Sequence, residues 1–167
     1  MASVARRAVL KRIGALAVGL AAWAFCPTDA FARADVKLSL VELTNAERAR
    51  HGLGRVEVDA ALDGVADARA TSQLGPSPLS HYDAEGRLVF KELMDSIGVE
   101  YLLAGENLVR ALRTDQATPE AVIQALMQSP THRRNILEPS FNRLAVGLTI
   151  DQNGRVAIAQ IFRAVGG

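Results

Sequence analysis

Two β-rich runs close this sequence, Leu144 to Ile150 and Val156 to Phe162, and the residues between them, Asp151-Gln152-Asn153-Gly154, spell a tight turn. Asn-Gly readily adopts the positive φ angles of a hairpin turn, so the two runs are expected to pair as antiparallel strands. Everything before them reads mainly as helix. A terminal hairpin preceded by helices has to be covered by them, which places the chain in the α+β class.

The helical segments can be located. Leu40, Leu43, Ala46 and Ala49 share one helical stripe that ends in Arg50-His51-Gly52, predicting a first helix from about Lys37 to Arg50. Asp59 is placed to cap a second, with Leu62, Val65, Ala66, Arg69 and Ala70 at helical spacing and Gly75-Pro76 as its stop. Residues 76–86 are rich in Pro, Ser and Gly and form a loop that carries His81. A short helix over Val89 to Ser96 comes next, and then Ala104-Gly105-Glu106-Asn107 leads into Leu108 and Val109 as a short strand or an extended turn. Thr118-Pro119-Glu120 combines a hydroxyl cap, a first-turn proline and an acid at the positive end of the dipole. It starts a helix to about Gln128 that buries Val122, Ile123 and Leu126. Ser129-Pro130 then opens a second polar loop or short turn with His132, Arg133, Arg134 and Asn135.

At the other end, Arg6, Arg7, Lys11 and Arg12 precede an uncharged apolar run from Ile13 to Phe25. Basic-then-apolar order is that of a secretory signal, and a run this short falls below the roughly 20 residues a membrane-spanning helix needs. No membrane anchor is therefore expected to be retained. Ala32-Arg33-Ala34 is the preferred cleavage site, giving a signal over residues 1–34 and one domain over 35–167; Ala30-Phe31-Ala32 is a second site. Arg6-Arg7-Ala8-Val9-Leu10-Lys11 resembles a twin-arginine signal, with Val9 where Phe is usual, so the export route stays open. The single cysteine, Cys26, lies inside the signal, and bulky Phe25 before it argues against lipid attachment. The exported domain, periplasmic or extracellular, would have no disulfide and would hold together by burial alone. Removing the signal leaves 14 basic and 17 acidic side chains, a charge near −3, without the clustered basic face that nucleic acid requires.

Few side chains suggest chemistry. His81 and His132 sit among turn residues, where a side chain is free to meet a ligand. With the Glu106 carboxylate they form a two-histidine, one-carboxylate set that could hold Zn²⁺ or another divalent cation. The spacings, 25 and 26 residues, are too long for a local metal motif. His51 has a structural explanation, an imidazole against the negative end of the first helix. Arg133 and Arg134 could grip an anion or face solvent, and Asn45 and Glu47 could hydrogen-bond across the core or line a wet face. Nucleophilic catalysis has little support: the domain lacks a thiol and a Gly-x-Ser-x-Gly turn, and it carries no glycine-rich phosphate loop.

Five strings in order resemble the bacterial, disulfide-free branch of the CAP superfamily, which takes in cysteine-rich secretory proteins, insect antigen 5 and plant pathogenesis-related class 1 proteins. They are Leu43-Thr44-Asn45-Ala46-Glu47-Arg48 with His51-Gly52-Leu53; Ser80-His81; Ala104-Gly105-Glu106-Asn107; Ser129-Pro130-Thr131-His132-Arg133 with Asn135-Ile136-Leu137; and Val146-Gly147 with Gln160-Ile161-Phe162. The resemblance implies a three-layer α-β-α sandwich with a cleft that gathers His81, Glu106 and His132, with Asn107 and Gln160 beside them. Leu126 stands where the family has a tryptophan, and Ser129 where it has a second glutamate. Three of four cleft groups therefore remain. In function, the resemblance implies an exported, non-catalytic binding module for a small molecule, a lipid or a cell-envelope component, or else a metal-dependent hydrolase that uses the same cleft. A purely structural network of buried His and Glu would also satisfy the residues.

Overall fold

The computed structural model describes residues 27–75 and 77–166. The basic and apolar stretch read as an export signal, with Cys26, lies outside them. Among the described residues five α-helices, α1 (Pro27–Arg50), α2 (Asp63–Ser72), α3 (Val89–Ser96), α4 (Pro119–Gln128) and α5 (Pro130–Ile136), enclose a sheet of four strands. The strands are β1 (Glu57–Val58), β2 (Leu103–Ala111), β3 (Arg143–Ile150) and β4 (Val156–Ala164), in the order β1-β3-β4-β2. β3 and β4 form the expected antiparallel hairpin, in which Asp151 Oδ1 accepts from the amides of Asn153 and Arg155 and Gly154 takes φ +76°. That turn is why Asp and Gly stand where they do.

Period-two alternation along the strands builds the three layers. Leu144, Val146 and Leu148 of β3 and Ile158 and Phe162 of β4 face one side, where they pack with Leu40, Ile123, Leu126 and Ile136 from α1, α4 and α5. Ala145 and Ile161 face the other side, against Leu62, Val65, Ala66, Phe90 and Met94 from α2, α3 and the turn before α2. Each of the large side chains buried in these layers stabilises the fold by roughly 1.5–3 kcal/mol. Among the described residues no helix is long and apolar enough to cross a membrane.

Several expectations are corrected. α1 begins at Pro27 rather than Lys37, so the preferred cleavage point after Ala34 falls inside it; Ala32 to Asp35 are exposed, and the contacts with the body begin at Val36 and Lys37. Asp59 does not cap α2. A 3₁₀ turn, Ala60–Leu62, intervenes, and the Asp59 carboxylate is instead held by Arg163 of β4, with Nη2 at 3.0 Å from Oδ1. The segment beginning at Ala104 is a nine-residue strand, because every residue of β2 finds a partner on β4. The segment after Pro130 is a helix rather than a loop; Pro130 occupies its first turn and Ile136 is driven into the core.

A buried cation ties the α1 layer together. Arg48, 1% exposed, donates from Nε to the Gly54 carbonyl at 2.8 Å, from Nη1 to those of Ile136 and Glu138, and from Nη2 to that of Phe141. Burial pulls its pKa down while Glu138 opposes the shift. The guanidinium thus satisfies three carbonyls at and just beyond the end of α5 and one in the loop after α1, and it fixes the end of α5 against α1. Asn45, on the same face of α1, acts in the same way, accepting from the Val56 amide at 2.8 Å and donating to the Val56 carbonyl at 3.0 Å. Glu47 takes the wetter role, pairing with Arg50 on the surface.

Candidate functional site

Successive residues of β2 point to opposite faces of the sheet, and the candidate site is built on that fact. Glu106 points toward α2. There Arg69 donates to it from Nε at 2.6 Å and from Nη2 at 3.2 Å, with both side chains all but sealed from solvent. Arg69 also donates to the Ser72 hydroxyl and the Ser80 carbonyl, so the guanidinium joins α2 to the loop that carries His81. The remaining capacity of Glu106 goes to His81, whose Nδ1 lies 2.7 Å from Oε2. An ionised carboxylate only accepts, so Nδ1 carries the proton and Nε2 is left as the free ring nitrogen.

The loop holds His81 by its own turn chemistry. Asp83 Oδ1 accepts from the amides of Glu85 and Arg87, Gly86 takes φ +79°, and the Val89 amide returns to the His81 carbonyl. Farther back, Arg110 of β2 donates from Nη1 to the carbonyls of Gln73, Gly75 and Ser77, which fastens the start of the same connection to the sheet. Ser80 Oγ turns to the Tyr82 carbonyl and not to His81, so the two neighbours form no nucleophile–base pair.

Asn107, the next residue, points to the other face and holds α5. Its Nδ2 donates to the His132 carbonyl at 3.3 Å and to Gln160 Oε1 at 3.1 Å, while its Oδ1 accepts from Asn135 Nδ2 at 2.9 Å. Gln160 donates onward to the Thr44 hydroxyl, which donates to the Leu40 carbonyl of α1. Asn135 also donates to the Glu106 carbonyl, which covers part of the open edge of β2. Gly105 permits the approach: a Cβ there would lie 3.0 Å from Phe141 Cζ and 3.1 Å from Asn135 Oδ1.

His132 therefore stands across the edge of β2 from His81. Between them lies an open cavity of about 510 Å³, lined by His81, Glu106, His132, Arg134 and Asn135 on its polar side and by Tyr82, Leu88 and Phe90 on its apolar side. Burial holds the His132 imidazole below the ordinary histidine range, and the charge of a protonated His81 would lower it further. A larger hollow, about 860 Å³, lies between the end of α3 and the end of β4, but it holds no histidine and its Arg163 is committed to Asp59.

The three residues expected to share a cleft do share one, although His132 reaches it from a helix and not from a loop. Asn107 and Gln160 do not line the cavity; at 1% and 0% exposure they form the support behind it. His51 meets the Glu47 carbonyl through Nδ1 at 2.9 Å, the helix-end role expected of it, and Arg133 reaches its Nε2. Arg69 was missed as a site residue, although an arginine on an otherwise apolar helical stripe was the signal for a buried counter-charge. A three-ligand metal site needs Glu106 free, and it is not: its oxygens are taken by Arg69 and by His81. Among the described residues no group of three or more His, Cys, Asp or Glu side chains is placed to hold a metal ion. The arrangement can orient His81, keep its Nε2 available, and seat a small molecule between two imidazoles and an apolar wall.

A four-stranded sheet between two helical layers, with two histidines and a buried glutamate at its β2 edge, defines an α-β-α sandwich domain. The family model described as the cysteine-rich secretory protein family (CAP) matches residues 41–162, and the chain belongs to that family. It is 38% identical over 108 residues to YkwD of Bacillus subtilis, an uncharacterized protein, a match that spans 65% of this chain and 40% of YkwD. An extracellular protein of Bacillus anthracis containing an SCP domain superposes with a TM-score of 0.66 at 25% identity, over 78% of this chain and 41% of that one. An outer surface protein of Borrelia burgdorferi superposes at 0.62 and 16% identity, over 76% and 90% of the two chains, which shows the shared fold. This chain thus spans less than half the length of the two Bacillus relatives.

Proposed function

We propose that this protein is an exported CAP-family binding module whose cleft between His81 and His132 takes a small ligand without performing chemistry on it. The observation that carries this reading is the Arg69–Glu106 ion pair, because it spends the cleft's Glu106 carboxylate on holding the fold and on orienting His81. Among the described residues no second acid lines the cavity; Ser129 stands where the family resemblance leads one to look for it, and its hydroxyl meets that of Thr131. Export is supported by the basic and apolar order of residues 6–25 and by the extracellular and outer-surface character of the Bacillus anthracis and Borrelia proteins.

The second reading, a metal-dependent hydrolase, is favoured by one feature. A carboxylate on one ring nitrogen of a histidine is the usual support for a metal on the other nitrogen. Isothermal titration of Zn²⁺ into the protein, beside the His81→Ala/His132→Ala variant, separates the two. The binding-module reading expects no micromolar Zn²⁺ site that the double variant loses. Such a site, together with hydrolytic turnover abolished by chelation, would replace it with the hydrolase.

A further inference from the structure

We propose that the cleft is an oxyanion site, in which Arg134 and the His132 edge receive a carboxylate or phosphoryl group while Tyr82, Leu88 and Phe90 hold an apolar body. The assignment rests on the reading of the cleft as a ligand site and names the chemistry of what it takes.

Charge decides the sign of the ligand. Among the described residues Glu106 is the only acid that lines the cavity, and Arg69 cancels its charge from behind, at 2.6 Å and 3.2 Å with both side chains buried. Arg134 is then the net charge facing the space. It is exposed, and among the described residues its guanidinium makes no ion pair or hydrogen bond. The other arginines near the site are committed: Arg69 to Glu106, Arg110 to three carbonyls, Arg133 to His51. Thr131, on the same helix, adds a hydroxyl donor to the lining. A cation entering here would meet the Arg134 guanidinium and no free carboxylate. An oxyanion would meet a guanidinium whose planar donors suit carboxylate and phosphoryl oxygens, in a hollow whose apolar wall reduces screening.

The opposite wall limits the rest of the ligand. Tyr82 is 56% exposed and Phe90 is 3% exposed, so an aromatic face lies open above a fixed hydrophobic floor. About 510 Å³ fits one ring or a short chain beside the charged group.

The test uses phenylacetate and phenyl phosphate as the two anions and 2-phenylethanol as the neutral control. Each is titrated into the protein while the histidine ring resonances are followed by NMR, in the wild type, in Arg134→Gln and in His81→Ala/His132→Ala. At least one anion is expected to bind and to shift the His132 ring, the alcohol to bind more weakly, and Arg134→Gln to weaken the anion by roughly tenfold. Among the described residues Arg134 has no partner to lose, so the variant should melt with the wild type. Which anion binds tells carboxylate from phosphoryl. Equal binding of alcohol and anion, or an anion indifferent to Arg134→Gln, overturns the assignment. Where the alcohol alone binds and is lost in the double histidine variant, the oxyanion assignment fails while the ligand cleft stands. If nothing binds, both fail.

Discussion

Arg69 Nε lies 2.6 Å from Glu106 Oε1, with side-chain exposures of 3% and 1%, so a helix and an edge strand are joined by a charge pair that water scarcely reaches. Two desolvated ions are stable together only while both are present. Arg69→Met keeps much of the volume and leaves the carboxylate unpaired except for His81. It should cost about 3–5 kcal/mol in urea denaturation, while replacing both partners with apolar residues should cost much less. A loss below about 1 kcal/mol in the single variant would mean that the pair does not hold α2 to β2.

Gly147 makes a second strong prediction. A Cβ on it would lie 1.9 Å from the Ala66 carbonyl oxygen and 2.1 Å from its carbon, both backbone atoms of α2 that cannot swing aside. Gly147→Ala should therefore separate α2 from β3 and cost roughly 1–3 kcal/mol or more. Gly64, in the first turn of the same helix, has nothing within 4 Å of its Cβ position. Gly64→Ala is expected to stabilise by about 0.5–1 kcal/mol, and thermal melts of the pair check that position, not residue type, sets the sign.

Elements that carried their own local signals were legible in the sequence. The hairpin was visible because Asn153-Gly154 and strand alternation agree, and α4 because Thr118, Pro119 and Glu120 each favour a start; Thr118 Oγ1 does accept from the Ala121 amide. α5 was not, since a seven-residue segment rich in His, Arg and Asn has little apolar periodicity. What holds it is tertiary: Ile136 in the core and Asn135 on β2. β1 is two residues long and depends wholly on β3 for its definition. The cleft trio lies too far apart in sequence for spacing to join it, and only the family resemblance did so. Arg69 shows what was missed. It sits on the stripe of Val65, Ala66 and Ala70, where a charge can be buried only beside an opposite one, and Glu106 in an apolar strand is the matching signal.

The amide chain behind the cleft should act as a support for His132. In Asn135→Ala, the Glu106 carbonyl and Asn107 Oδ1 lose their donor, at an expected cost of about 1–3 kcal/mol. Hydrogen exchange should speed most in α5 and least in the β3–β4 hairpin. Asn107→Asp should be worse than a simple loss, because the Nδ2 donor would become an oxygen facing the His132 carbonyl and Gln160 Oε1. Uniform acceleration of exchange across the domain would show that the chain stabilises the whole fold rather than α5.

Acid sensitivity is expected at the end of α5. The Ser140 backbone amide, its side chain and the nearby Arg48 charge hold the Glu138 carboxyl below its ordinary value of 4.5. The unfolded chain therefore takes up a proton at higher pH than the folded one. The resulting stability is fully present above pH 4.5 and is lost as pH falls through the folded value. Because the group is largely solvated the effect should be small, and it is best read as a difference between curves. Glu138→Gln should leave in place the bond that Arg48 donates to the Glu138 carbonyl while flattening the fall in melting temperature between neutral pH and the acid range. A variant whose acid profile matches the wild type would place the proton uptake on other carboxylates, with Asp83, also held low by the Arg87 amide, as the next to replace.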